Sequence, residues 1–137
     1  MRKVQSGNLS AVEALARSSP ASRLIISHCG VSSSASDIRG LLQRNANVSC
    51  DLSYRSPPQL RQRMLGRAIF DRAGVRSDWK QLIEDYPDRF MIGLDDQDSW
   101  SDYDETVRNI RAMLAELSPA TAEKIAYRNA QSLFGLE

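Results

Sequence analysis

Residues 89–100 read RFMIGLDDQDSW, and this stretch decides how the rest of the chain is interpreted. Residues 90–92 are apolar, Gly93 follows soon after, and acids then occupy positions 95, 96 and 98. A short apolar run bounded by turn residues is typical of a buried β-strand. Carboxylates at the end of such a strand indicate either a functional site or a helix cap.

Two earlier segments are also predicted to be strands. Residues 23–29, RLIISHC, form a short run with β-branched residues that ends before Gly30. Residues 47–54, NVSCDLSY, alternate apolar and polar side chains, and residues 90–95 form the third strand. Helical spacing predicts helices over 10–18 and 32–45, after a cap at Ser77, from about residue 102, and after Pro119. Strands separated by helices predict right-handed βαβ units with a parallel sheet, an α/β fold in one domain over 1–137.

Polar side chains follow each predicted strand near its carboxyl end. They are His28, which is the only histidine in the chain, Asp51, Ser53 and Asp95. In parallel α/β folds, chemistry takes place at the carboxyl ends of the strands. We therefore expect these side chains to share one polar pocket.

The inner face of the predicted sheet has no helices to cover it. If His28 and Asp95 point to that face, strand alternation places Leu24, Ile26 and Met91 there as well. Sequential right-handed crossovers put all the helices on the opposite face, whereas parallel sheets normally have both faces covered. We therefore expect the isolated chain to self-associate, to need a partner that supplies the missing cover for this face of the sheet, or to be only marginally stable.

Composition argues against several classes of protein. With 42% hydrophobic residues, 26% charged residues and a net charge of +1, the chain is ordinary for a globular protein and has no basic stripe for nucleic acid. No apolar run approaches the ~20 residues of a membrane helix, and no signal segment follows Met1, so a cytoplasmic location is expected. Cys29 and Cys50 lie in apolar strand-like runs, which predicts buried thiols in a reducing compartment rather than a disulfide.

Four segments in order resemble the carboxyl-terminal portion of the amidohydrolase superfamily, in its amidohydrolase-related branch. They are LIISHCG (24–30), NVSCDLSYRS (47–56), DWKQLIEDYPDRFMIGLDD (78–96) and AEKIAYRNAQSLFGL (122–136). Members of that family are (β/α)8 barrels that hold one or two divalent metals, usually zinc. The resemblance implies that the three strands are the sixth, seventh and eighth of a TIM-type barrel.

The resemblance also implies roles for two residues. His28, in the family's HxG pattern, would be a metal ligand or an electrophile, and Asp95, in its GxD pattern, a metal ligand and the base. The implied reaction is hydrolysis of a C–N or C–O bond in a small-molecule substrate through a metal-activated water, although some members of the branch are decarboxylases. Three further assignments come from sequence position: Asp51 and Ser53 would line the pocket, Arg55 would hold a substrate carboxylate, and Trp100 would contact substrate.

The chain departs from the family pattern in two respects. The paired histidines of the first strand and the histidine of the fifth strand are absent, since the chain has one histidine. A barrel takes roughly 250 residues and a catalytic zinc ion about three protein ligands, whereas this chain has 137 residues and two candidate ligands. The chain alone is therefore expected to be inactive. The alternative hypothesis is a non-catalytic α/β module that completes a partner's barrel.

Each candidate residue also has an ordinary structural interpretation. His28 could be a hydrogen-bonded core or loop histidine, and Asp95 could be a turn residue or a helix cap. Asp51 could hydrogen-bond the neighbouring loop, Arg55 could be a surface arginine, and Trp100 could be a packing residue. The acids at positions 96 and 98 are expected to be solvated residues near a helix start.

Overall fold

The computed structural model describes residues 9–60, 67–95 and 98–136, and a three-stranded parallel sheet lies at its centre. The strands are β1 (Leu24–Ile26), β2 (Val48–Asp51) and β5 (Phe90–Met91), in the order β1-β2-β5. In the register, Ile26 lies opposite Cys50 and Asp51 lies opposite Met91. An antiparallel hairpin of β3 (Phe70–Asp71) and β4 (Gly74–Val75), which the sequence analysis did not predict, lies in the connection between β2 and the next helix.

Helices precede and follow the strands, as the apolar spacing predicted. Their bounds are α1 (Leu9–Ser18), α2 (Ala35–Arg44), α3 (Ser77–Asp85), α4 (Trp100–Glu116), α5 (Pro119–Glu123), a π-helical turn over Lys124–Arg128, and α6 (Asn129–Phe134). Ser34 caps α2 through a reciprocal box with Asp37. Ser99 caps α4, which begins at Trp100, two residues before the predicted start. Ser77 is the first residue of α3 rather than its cap. No helix of the described residues has the length and apolarity needed to cross a membrane.

One face of the sheet packs on α2 and α3 and forms the core. Val48, Cys50 and Phe90 point to this face and are fully buried. They belong to one hydrophobic cluster with the apolar stripes of the two helices, which include Ile38, Leu41, Trp79, Leu82 and Ile83. Burial of these stripes fixes the register, because a shift by one residue would turn every strand side chain to the other face.

The other face of the sheet differs from the prediction. Leu24 and Ile26 lie on the helix side, and the intervening Ile25, which pairs with Ser49, is 41% exposed. Met91 does share the open face with Asp51, but it is only 6% exposed. The prediction that Leu24, Ile26 and Met91 are exposed together is therefore wrong. We predicted these faces by extending the strand alternation of β1 as far as His28. A left-handed turn at His28 ends that alternation.

The structure joins Cys29 to Cys50 in a disulfide, so the prediction of free thiols is wrong. Both residues are fully buried, as their apolar surroundings predicted. The pairing follows from the register, because the end of β1 lies beside Cys50 and leaves the two Cα atoms 4.8 Å apart. The argument for a reducing compartment rested on free thiols and no longer applies.

The carboxyl-terminal helical segment satisfies main-chain groups of β5 and of the turn before it. The Nδ2 atom of Asn129 donates to the carbonyl oxygens of Pro87 and Phe90, both at 2.7 Å, and the amide of Ile92 donates to Ile125 at 3.1 Å. These bonds end the regular pairing of β5 after two residues. They also give a physical reason for the asparagine in the closing NAQSLFGL segment.

Candidate functional site

Loops at the carboxyl ends of three strands bring four of the predicted residues together. His28 follows β1, Asp51 and Ser53 lie at the end of β2, and Asp95 follows β5. His28 Nδ1 lies 2.9 Å from Ser53 Oγ, and His28 Nε2 lies 3.5 Å from Asp95 Oδ2. The side chains of His28 and Asp95 are 32% and 39% exposed, so the pair is open to solvent.

His28 reaches this position through an unusual backbone. His28 and Cys29 have φ values of 56° and 45°, and Gly30 follows at 58°. Residues other than glycine rarely adopt this left-handed conformation, because Cβ crowds the following carbonyl. The turn breaks the alternation of β1, and the imidazole therefore lies beside Ser53 on the next strand.

Asp51 and Ser53 determine which ring nitrogen of His28 carries the proton. Asp51 Oδ1 accepts the amide of Ser53 at 2.6 Å, and Asp51 Oδ2 accepts the Ser53 hydroxyl at 2.9 Å. An ionised carboxylate can only accept, so the single hydroxyl proton of Ser53 points to Asp51. Ser53 Oγ must then accept from Nδ1–H of His28, and the neutral ring keeps its lone pair on Nε2, the atom that faces Asp95.

Position 93 needs a glycine because the segment that follows β5 passes very close to Asp51 and Ser53. A Cβ at position 93 would collide with Asp51 Oδ1 and would lie 3.0 Å from Ser53 Cβ. The glycine of the GxD pattern therefore leaves room for the bonds that orient His28. Its neighbour Asp95 adopts a left-handed φ of 57°, a conformation that aspartate tolerates better than most residues.

Tyr54 is a neighbour of the site that was not among the predicted site residues. Its φ of 55° interrupts the alternation predicted for residues 47–54. The ring centroid of Tyr54 lies 5.3 Å from that of His28, with the two planes inclined at 47°. No local sequence signal marks Tyr54, since a left-handed tyrosine follows from tertiary contacts and not from propensity.

The side chains of the remaining candidates, Arg55 and Trp100, make other contacts. Arg55 is 1% exposed and donates to main-chain carbonyl oxygens, so it is neither a surface arginine nor free to hold a substrate carboxylate. Trp100 is 84% exposed at the start of α4, where it contacts Tyr103 edge-on at 5.9 Å. Asp98 is exposed, as predicted for a solvated acid, and the acid at position 96 lies outside the described residues.

The described residues can supply two ligands to a metal ion. Two ligands about 2.1 Å from a tetrahedral zinc ion lie roughly 3.4 Å apart, close to the observed His28–Asp95 separation of 3.5 Å. The hydrogen bond at Nδ1 is the usual support of a histidine that binds metal through Nε2. Over residues 9–60, 67–95 and 98–136, no third histidine, cysteine or acid joins the pair to make a metal-binding group.

Comparison with solved structures shows a similar fold in an amidohydrolase from Burkholderia multivorans. One structure of that protein, with bound HEPES, has a TM-score of 0.61 and 18% sequence identity over 93% of this chain. Another, with bound zinc, has a TM-score of 0.56 and 22% identity over 93% of this chain. This chain spans 49% of the neighbour in each case. At these identities the likeness concerns the fold, and a parallel sheet that matches half of each neighbour fits part of a TIM barrel.

Comparison with sequence families identifies the chain more directly. A search among curated proteins found no match. The family model described as Amidohydrolase, by contrast, matches residues 1–136, almost the whole chain. The resemblance that four segments indicated is therefore confirmed, and this chain belongs to the amidohydrolase family.

Proposed function

We propose that this chain carries the sixth, seventh and eighth strands of a metal-dependent hydrolase barrel, with His28 and Asp95 as ligands of one divalent ion. Membership of the amidohydrolase family supports the class of enzyme. The proposed reaction is hydrolysis of a C–N or C–O bond in a small-molecule substrate. Because the chain spans 49% of its structural neighbours, the activity belongs to the completed barrel.

The observation that carries this proposal is the arrangement of His28 and Asp95. The lone pair of His28 Nε2 and the Oδ2 atom of Asp95 face each other at 3.5 Å. Both are acceptors, and two acceptors at this distance repel each other unless a proton or a cation lies between them. The bonds from Ser53 to Asp51 place one imidazole proton on Nδ1, so Nε2 is left to bind either a second proton, which would make an ion pair with Asp95, or a cation. The proposal assigns a divalent cation to this position.

The residue types fit zinc, although they do not complete its coordination. Imidazole nitrogen and carboxylate oxygen are both ordinary zinc ligands, and a catalytic zinc ion takes about three from the protein. The third ligand would come from outside the described residues. When bound, a divalent ion supplies Lewis acidity that brings the pKa of a coordinated water to about 7.

The remaining proposed roles are proton transfer by Asp95 and orientation of the His28 imidazole by its neighbours. Asp95, whose carboxylate is partly exposed, is placed to take the proton of the attacking water and to pass it to the leaving group. Ser53 and Asp51 hold the imidazole of His28 in one tautomer, and Gly93 keeps the space that their bonds need.

A second half of the barrel would pack against the open face of the sheet. Ile25, exposed on that face beside Ser49, supports this part of the proposal. The missing strands would come from a further segment or from another chain, which includes self-association of two copies. Exposed strand edges and apolar sheet faces favour such pairing.

Elemental analysis combined with the mass in solution tests the proposal. We expect zinc or manganese to copurify at about one ion per chain or per assembled oligomer, and to be lost from His28→Ala and Asp95→Asn. Asp98→Asn is the matched control, because Asp98 is an exposed acid close in sequence to Asp95. Equal metal content in all four proteins would contradict the assignment of His28 and Asp95 as ligands.

A further inference from the structure

The left-handed turn that presents His28 needs an external support. Residues 28, 29 and 30 adopt positive φ in succession, at 56°, 45° and 58°. The first two residues carry a Cβ, so this conformation is sterically unfavourable for them. It persists only when surrounding contacts stabilise it. Two main-chain bonds close the turn locally, from the Gly30 amide to Ser27 at 3.2 Å and from the Ser33 amide to Gly30 at 2.6 Å, but neither reaches the carbonyl groups of His28 and Cys29.

Arg55 provides contacts to all three carbonyl groups of this turn. Its Nη1 atom donates to the oxygens of His28 at 3.2 Å, Cys29 at 3.5 Å and Gly30 at 3.3 Å. A left-handed turn gathers successive carbonyl groups on one side, where a single cation can reach them. The disulfide from Cys29 to Cys50 ties the same turn to β2.

Burying the charged guanidinium of Arg55 in the core costs free energy. It is 1% exposed, its Nε atom has no hydrogen-bond partner, and no carboxylate of the described residues forms an ion pair with it. Its guanidinium lies over the ring of Trp79 at 4.8 Å. Burial, with smaller contributions from Arg76 and Arg67, lowers the pKa of Arg55 to about 10. An apolar side chain would avoid these costs, so packing alone does not account for an arginine here.

We propose that Arg55 is a positioning residue that fixes the His28 imidazole by holding the carbonyl groups of the 28–30 turn. It touches neither substrate nor metal and acts through the backbone of His28. The consequence for metal binding rests on the proposed function, whereas the consequence for the orientation of the ring does not. The two can therefore be tested separately.

The single histidine makes the test direct, because every imidazole signal in a ¹⁵N–¹H spectrum belongs to His28. The spectra are recorded at a pH high enough for the ring to be neutral, so that the two ring nitrogens report the tautomer. We expect the wild-type chain to hold the proton on Nδ1. Arg55→Met, which removes the donors but keeps an unbranched stem, should give a mixture of tautomers while the chain still melts cooperatively. Arg55→Lys, which keeps a cationic donor, should restore the single tautomer.

Zinc titration supplies the second readout. Loss of an orienting partner typically weakens metal binding about 10-fold to 100-fold, and we expect that loss in Arg55→Met but not in Arg55→Lys. Arg108→Met, at an exposed position of α4, is the matched control and should change neither readout.

A folded Arg55→Met protein with the wild-type tautomer would overturn the proposal. If Arg55→Met does not melt cooperatively, Arg55→Leu replaces it and is judged by the same criteria, because it also lacks a hydrogen-bond donor. A wild-type chain that binds no zinc would remove the proposed metal site, and the tautomer measurement would still decide the role of Arg55.

Discussion

Replacing Gly93 by alanine tests whether the close approach of β5 to Asp51 and Ser53 is needed. A Cβ at position 93 would collide with Asp51 Oδ1 and would lie 3.0 Å from Ser53 Cβ. Asp51 cannot yield freely, because both of its carboxylate oxygens accept hydrogen bonds from Ser53. Overpacking of this kind typically costs about 1–3 kcal/mol. At this chain length that corresponds to a fall in Tm of roughly 4–12 °C.

The matched substitution is Gly40→Ala, which should change Tm in the opposite direction. Gly40 lies inside α2, and a Cβ there would first meet the end of the flexible Arg44 side chain at 3.1 Å. Alanine is favoured over glycine in a helix interior by about 0.5–1 kcal/mol, so Tm should rise by roughly 2–4 °C. Thermal denaturation followed by circular dichroism measures both variants. A Gly93→Ala protein that melts at or above the wild-type temperature would refute the packing argument.

Three further predictions concern the groups that hold the fold together. Asn129→Ala should lower the free energy of unfolding by about 1–3 kcal/mol in urea denaturation, because it leaves the carbonyl oxygens of Pro87 and Phe90 without their donor; an unchanged midpoint would contradict this. Reduction of the Cys29–Cys50 disulfide should lower the same free energy by about 3 kcal/mol, since it opens a loop with a sequence separation of 21, and identical denaturation curves with and without reductant would argue against the bond. Burial raises the pKa of Glu84, but hydrogen bonds from the Ser118 amide and from the hydroxyls of Thr121 and Ser118 outweigh burial and hold that pKa below its ordinary value of 4.5. Glu84 therefore stabilises the fold fully above pH 4.5 and loses this contribution as the pH falls through its lowered pKa, so Glu84→Gln should flatten the acid limb of a plot of Tm against pH.

The sequence was sufficient for the order of elements and for the position of the site. Periods of two and of about 3.6 located the three parallel strands and the helices around them, since these periods reflect one buried face in each element. The rule that polar side chains at strand carboxyl ends converge then located His28, Asp51, Ser53 and Asp95 together. These conclusions depend only on local pattern and on the handedness of βαβ connections.

Local pattern failed where the backbone leaves regular structure. Positive φ at His28 and Tyr54 interrupts strand alternation, so the face predicted for Leu24 and Ile26 was wrong, and Tyr54 was not predicted to lie beside His28. The β3–β4 hairpin had a usable sequence signal. Asp and Gly are residue types that favour turns, and Asp71 and Gly74 lie between the apolar Phe70 and Val75.

Long-range contacts account for the other differences. Arg55 precedes Ser-Pro in the sequence, as many surface arginines do, and only the folded chain brings the His28 turn over its guanidinium. The Cys29–Cys50 pair likewise depends on the register of two strands, which composition does not reveal.

The most direct test of the account is a zinc titration of the chain followed through the two ring nitrogens of His28. The account predicts that zinc shifts the Nε2 resonance while Nδ1 keeps its proton and its bond to Ser53. It also predicts that Asp95→Asn weakens this response and that Asp98→Asn does not. Loss of the Nδ1 proton on addition of zinc, an equal response in Asp95→Asn, or no response in the wild-type chain would contradict the assignment of His28 and Asp95 to one metal site.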